Sequence, residues 1–147
     1  MAKFGQKLTL AEFLPYQLSI TSNAVSDLIA RAYRGRFALK IPEWRLMAVL
    51  GEVASATQRE LVAATAMDKV TVNRASKALE ERGLIGRAPN AADGRSHHLA
   101  LTDTGRELYD QIVPMALSVE AELFASDEAK ALEAMLTKLR ARVAELE

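Results

Sequence analysis

Between Lys69 and Lys77 the chain spaces Lys69, Val70, Thr71, Asn73, Arg74 and Lys77 so that a helix through them turns these groups away from Val72, Ala75 and Leu79. The outward set suits the edges of DNA bases. Arg and Lys can bond guanine O6 and N7, Asn can pair with adenine N6 and N7, and the methyls of Thr and Val can touch thymine. The acidic residues Glu80 and Glu81 are held back to the far end of the segment. A helix that reads the major groove contacts bases with its N-terminal residues, where the amide and cationic groups lie here.

The elements that must position this face are legible on either side of it. Thr57-Gln58-Arg59-Glu60 has capping-box spacing, followed by Leu61, Ala64 and Met67 as the apolar face of a first short helix. Asp68 is placed to cap a second helix from Lys69 to Arg82, and Gly83 to end it in a left-handed turn. Leu84-Ile85-Gly86-Arg87 and His97-His98-Leu99-Ala100-Leu101 then read as two strands separated by a turn rich in Pro, Asn, Asp and Gly. The sum is a winged helix-turn-helix over residues 42–102. Its wing tip carries Asp93, Gly94 and Arg95, and Arg95 is suited to a narrow, electronegative minor groove.

Apolar residues recur at helical spacing outside that lobe. Leu14, Leu18, Val25, Leu28, Ile29 and Tyr33 form one set, Leu108, Ile112, Met115, Val119 and Leu123 a second, and Leu132, Met135, Leu136, Leu139, Val143 and Leu146 a third. This is more apolar surface than a small winged lobe can cover, which predicts a homodimer. The fold class expected is mainly α with a small β wing. One domain of residues 1–147 divides into the DNA-binding lobe and a dimerisation lobe built from 8–36 and 103–147. Pro15 and Pro42 read as helix starts, and Pro114 predicts a kink or break.

Composition narrows the function. The net charge is zero, but residues 34–106 hold 12 basic and 8 acidic side chains while residues 107–147 hold 4 and 9. A basic middle and an acidic tail fit a DNA-binding lobe joined to a separate one. There is no Cys, which excludes thiol nucleophiles, thiolate metal sites and disulfides. The two histidines, His97 and His98, are neighbours on a strand and face opposite ways, so they do not chelate one metal together. No phosphate-binding glycine loop or paired-carboxylate motif stands out, and neither an enzyme nor a cofactor is expected. No stretch approaches the roughly 20 apolar residues that span a bilayer, and the N-terminus lacks a signal core, so a cytoplasmic protein without a membrane partner is expected. The alternative is a winged helix that serves as a protein-interaction module. Its outward face should carry large apolar anchors, and only Val70 answers to that.

Glu43-Trp44-Arg45, Thr57-x-x-Glu60-Leu61, Thr71-Val72-Asn73-Arg74, Leu79-Glu80-x-Arg82-Gly83-Leu84-Ile85-x-Arg87, Asp93-x-Arg95 and Leu101-Thr102-x-x-Gly105-Arg106 occur in this order. The pattern resembles the MarR family of regulators, over about residues 11–147. The resemblance implies a homodimer that binds a palindromic DNA operator and represses nearby genes until a small molecule releases it. It places Thr71, Asn73, Arg74 and Lys77 on the recognition helix and Asp93 and Arg95 on the wing. Gly94 departs from the family, which often has a second Arg there. Aromatic residues Phe13, Tyr16, Tyr33, Phe37 and Trp44 gather before the reader lobe, in a region where several relatives hold aromatic effectors. That implies a pocket for a small aromatic effector. Without Cys, the thiol-based peroxide sensing of some relatives is unavailable.

Overall fold

The computed structural model describes residues 5–88 and 97–147. After a single 3-10 turn at Leu10–Glu12, helix α1 (Leu14–Phe37) starts with Pro15 in its first turn, where a missing N–H costs nothing. It ends at Ala38, which takes the left-handed conformation at φ 53°. Helix α2 (Ile41–Glu52) follows, with Pro42 in its first turn and the buried Glu43 carboxylate accepting the Lys40 N–H at 3.2 Å.

The reader lobe continues through strand β1 (Ala56–Thr57), helix α3 (Gln58–Thr65), helix α4 (Lys69–Glu81), strand β2 (Ile85–Arg87) and strand β3 (His98–Leu101). The capping box at Thr57 forms in both directions: its hydroxyl oxygen accepts from the Glu60 N–H at 3.1 Å, and Glu60 accepts from the Thr57 N–H at 3.2 Å. Ala66 at φ 55° and Gly83 at φ 70° make the left-handed turns after α3 and α4. Asp68 caps α4, accepting from the Thr71 N–H and the Thr71 hydroxyl at 2.8 Å each. These bonds hold the Asp68 carboxyl below its ordinary pKa, the Thr71 backbone N–H being the larger cause.

Two sequence expectations are revised here. The wing is a three-stranded antiparallel sheet in the order β1-β3-β2, with Ala56 opposite Leu99 and Ile85 opposite Leu101. A strand of two residues has no alternation to read, so β1 exists only through its pairing with β3. On α3, Ala64 is exposed; Leu61 is buried, with Val62 and Met67 packed against the same core.

Helix α5 (Asp103–Leu123) passes through Pro114 without dividing. Pro114 and Asp110, whose carbonyl loses its helical partner, are both exposed, so water can satisfy the orphaned acceptor. Helix α6 (Ser126–Leu146) completes the chain. One core joins the lobes: Tyr33 of α1, Leu46, Met47 and Leu50 of α2, Leu61, Val72 and Leu79 of the reader helices, Leu99 of β3 and Ile112 of α5. By contrast α6 buries no residue, and its Leu132, Met135, Leu139 and Val143 stay exposed together with Leu14 and Leu18 of α1.

A close join lies between α5 and the segment after α4. Thr102 caps α5 by accepting from the Gly105 N–H at 3.0 Å, and donates its own hydroxyl to the Gly83 carbonyl at 2.6 Å. The Thr102 N–H donates to Leu84 O at 3.1 Å. A Cβ on Gly105 would strike the Leu84 carbonyl and lie 3.3 Å from Leu101 Cδ2. Because the obstacle is backbone, Gly105→Ala is expected to lower unfolding stability by about 2–3 kcal/mol, the cost of overpacking a tight site. Denaturant midpoints at matched protein concentration measure it; an unchanged midpoint would contradict the contact.

Capping by Asp68 depends on its charge. Its carboxyl is depressed in the folded chain, so the stabilisation is present above the unfolded carboxylate pKa and is lost as pH falls through the lower folded value. NMR Cα shifts of residues 69–72 are expected to lose helical character across that acidic window. Asp68→Asn, which caps without titrating, should abolish the transition.

Candidate nucleic-acid interface

Helix α4 packs on α2 and α3 through the buried Val72, Ala75 and Leu79, in keeping with the sequence pattern. Ser76 is buried as well, a position whose role the sequence left unassigned. Its hydroxyl donates to the Val72 carbonyl at 2.6 Å and accepts from Gln58 Nε2 at 2.7 Å, so a side chain at the start of α3 is fastened to the middle of α4. The hydroxyl at an inward position four residues after Val72 was the available signal; the partner eighteen residues away was not.

The opposite side of α4 exposes Lys69, Asn73, Arg74 and Lys77, and Val70 at 64% relative exposure. Thr71 is half-buried and spends its hydroxyl proton on Asp68, leaving its methyl and oxygen lone pairs for any ligand. Among the described residues no carboxylate lies within 4.0 Å of Lys69, Arg74, Lys77 or Arg87; the ion pair there is Arg34 with Asp27 on α1. Among the described residues nothing therefore holds these cations back from an external anion.

Between α4 and the wing strands runs an open groove of about 370 Å³. Asn73, Lys77 and Glu80 line it from α4, Arg87 and His97 from the wing, and Gln58 from α3. Arg87 and His97 thus join the surface begun by α4, although the candidate face read from the sequence covered only the helix and the wing tip. The wing-tip candidates Asp93 and Arg95 lie outside the described residues. The two histidines part, although His97 lies just before β3 and only His98 is in the strand: His97 lines the groove, while His98 has a buried Nδ1 with no hydrogen-bond partner among the described residues.

The five aromatic candidates do not all meet. Tyr33 and Trp44 rings lie 5.7 Å apart, and Trp44 stacks at 6.0 Å on Tyr109 of α5, a member the sequence reading missed. Burial raises the Tyr33 hydroxyl pKa, so the phenol stays protonated. Arg106 lies over Tyr109 at 5.2 Å and donates to the Gly51 carbonyl at 3.2 Å. Phe37 is half-buried beneath Arg36. Phe13 and Tyr16 are exposed at the other end of α1, with Tyr16 about 25 Å from Tyr33 along the helix axis at 1.5 Å per residue.

Comparison with known proteins agrees with this architecture. Residues 39–96 match the sequence profile of the MarR family, covering α2 to the wing. The HTH-type transcriptional repressor NicR of Pseudomonas putida is 30% identical over 94 residues, which are 64% of this chain. The matched segment spans 60% of NicR's length. A MarR/EmrR family transcriptional regulator from Acinetobacter sp. ADP1 superposes with a TM-score of 0.83 at 27% identity, over 94% of this chain and 99% of that one. The repressor CouR, known from Rhodococcus jostii RHA1, shares the fold in a structure bound to a 23-mer DNA duplex. It has a TM-score of 0.75 at 24% identity, over 92% of this chain and 99% of that one. With the profile on the reader lobe and the fold likeness running through both sets of flanking helices, the chain is similar to transcriptional regulators of the MarR family.

Proposed function

We propose that this chain is a homodimeric, sequence-specific DNA-binding repressor that occupies a pseudo-palindromic operator and is released by a small aromatic effector. The observation that carries the reading is the outward face of α4: Lys69, Asn73, Arg74 and Lys77 are exposed together, and among the described residues no carboxylate lies within 4.0 Å of its cations. In this reading Asn73 and Arg74 read base edges, with Val70 and the Thr71 methyl against thymine. Lys69, Lys77, Arg87 and His97 meet phosphates, which fix register without carrying sequence information. Asp93 and Arg95 act at the wing tip, Arg95 in the minor groove. NicR, a repressor by name, and CouR, solved on a DNA duplex, support the same reading.

The uncovered apolar side chains support pairing with a second copy. A 21-residue helix that buries nothing is not sustained by its own subunit, and α6 shares this condition with the N-terminal half of α1. Two-fold pairing through these helices gives two recognition helices, and so two half-sites about one DNA turn apart. The effector would act at the Tyr33–Trp44–Tyr109 rings, which join α1, α2 and α5 and therefore the two lobes.

Fluorescence anisotropy on the DNA upstream of the chain's own gene, against a scrambled duplex, tests the DNA reading. Two subunits per specific duplex are expected. With three to five phosphates met per subunit, log affinity should fall against log salt with a slope of about −5 to −9. Asn73→Ala should cost about tenfold or more on the specific duplex and little on the scrambled one. Equal weak binding to both duplexes by the unaltered protein would overturn the proposal. Trp44 is the single Trp, so its emission reports on the ring cluster. Titration with a panel of aromatic acids is expected to change that emission saturably for the member that releases DNA, and a panel without any such change would remove the effector site.

A further inference from the structure

The end of α4 is bonded to the helix that leads toward the other lobe. Arg82, the residue that closes α4, donates from Nη1 to Ala38 O at 3.1 Å and from Nη2 to Phe37 O at 2.9 Å. Those carbonyls terminate α1, where a helix leaves acceptors without intrahelical partners and where its dipole favours a cation. Among the described residues these are the hydrogen bonds that run directly between α4 and α1. A planar guanidinium suits two carbonyls at once, because its paired donors fix direction as well as distance; a Lys ammonium supplies charge without that fork. On the next two residues the grip passes to α5 through Gly83, Leu84 and Thr102.

We infer that Arg82 is a positioning residue that sets how strictly the protein selects the spacing between two operator half-sites. The inference rests on the dimeric DNA-reading proposal above. α1 is one continuous helix of 24 residues, with its uncovered apolar side chains toward the N-terminus and the Arg82 clamp at the other end. It is therefore a rod from the proposed dimer contact to the recognition helix. Adding one base pair between half-sites moves the second by about 3.4 Å and turns it by roughly 35°. A recognition helix tied to the rod cannot follow that displacement, whereas one released from it can pivot, with α3 and the wing, about the remaining Leu84–Thr102 contact.

The test uses the full-length protein and the duplex it protects upstream of its own gene. Companion duplexes are one base pair longer or shorter at the centre, and a further one carries a single half-site. Arg82→Ala and Arg82→Lys are compared with the unaltered chain, with light scattering and circular dichroism confirming folded dimers. The unaltered protein should lose about tenfold or more in affinity on either altered spacing, the scale of a lost base contact. Both variants should lose no more than about threefold there, while keeping wild-type affinity for the single half-site. Arg82→Lys, which retains the charge, decides the matter if Arg82→Ala is not folded. A wild-type spacing profile in the variants would overturn the inference. So would an equal loss on every duplex including the half-site, since that would make Arg82 a plain phosphate contact. Failure of the unaltered protein to separate the specific from the scrambled duplex would instead overturn the DNA-reading proposal on which this one stands.

Discussion

The carbonyl of Leu84 is the fixed point of this molecule. It accepts the Thr102 N–H, and the bare Cα of Gly105 lies against it, with no room for a single additional carbon. One residue further on, Ile85 is paired with Leu101, so the start of the sheet and the start of α5 are set by the same backbone segment. Two residues earlier the chain is still closing α4. The recognition helix, the wing and the long C-terminal helix therefore meet across a handful of atoms, and none of the three can shift at this end without displacing the others.

Energetics explains why so much polar fastening surrounds a short helix. The 13 residues of α4 are too few for a stable isolated helix in water, and its buried stripe includes two small residues, Ala75 and Ser76. Full burial of Val72 and Leu79 contributes about 1.5–3 kcal/mol each, while a net hydrogen bond contributes about 1 kcal/mol. Apolar packing thus holds α4 in place, and Asp68, Gln58–Ser76 and Arg82 determine its end points and rotation. The cations on its other side have no share in this; among the described residues none is paired with a carboxylate, which leaves them to a ligand.

What could be read from the sequence was local. The caps at Thr57 and Asp68, the left-handed turn at Gly83 and the Val72, Ala75 and Leu79 stripe each depend on residues within a few positions of one another, and all four stand as the pattern implied. What escaped was nonlocal. The strand character of Ala56–Thr57 comes from β3, the worth of Gln58 comes from Ser76, and Tyr109 joins Trp44 only once α5 lies across α2. Arg82 and Arg106 belonged to recognisable motifs, yet nothing in a motif says that each guanidinium will seek the carbonyl at another helix's end. The aromatic candidates divided for a related reason: residues gathered in sequence on a long helix can stand far apart along its axis.

Ala66 gives the reader lobe a further property. The turn between α3 and α4 places a Cβ-bearing residue in the left-handed region, where Gly would sit without strain. The left-handed well open to a Cβ-bearing residue is small, so while Ala66 stays in it the angle between the two helices is stiff rather than adaptable. A stiff reader leaves adjustment to its partner. If it docks on a duplex, the double helix must do the bending and groove narrowing, and flexible pyrimidine–purine steps that no side chain touches would then count toward which sites are chosen.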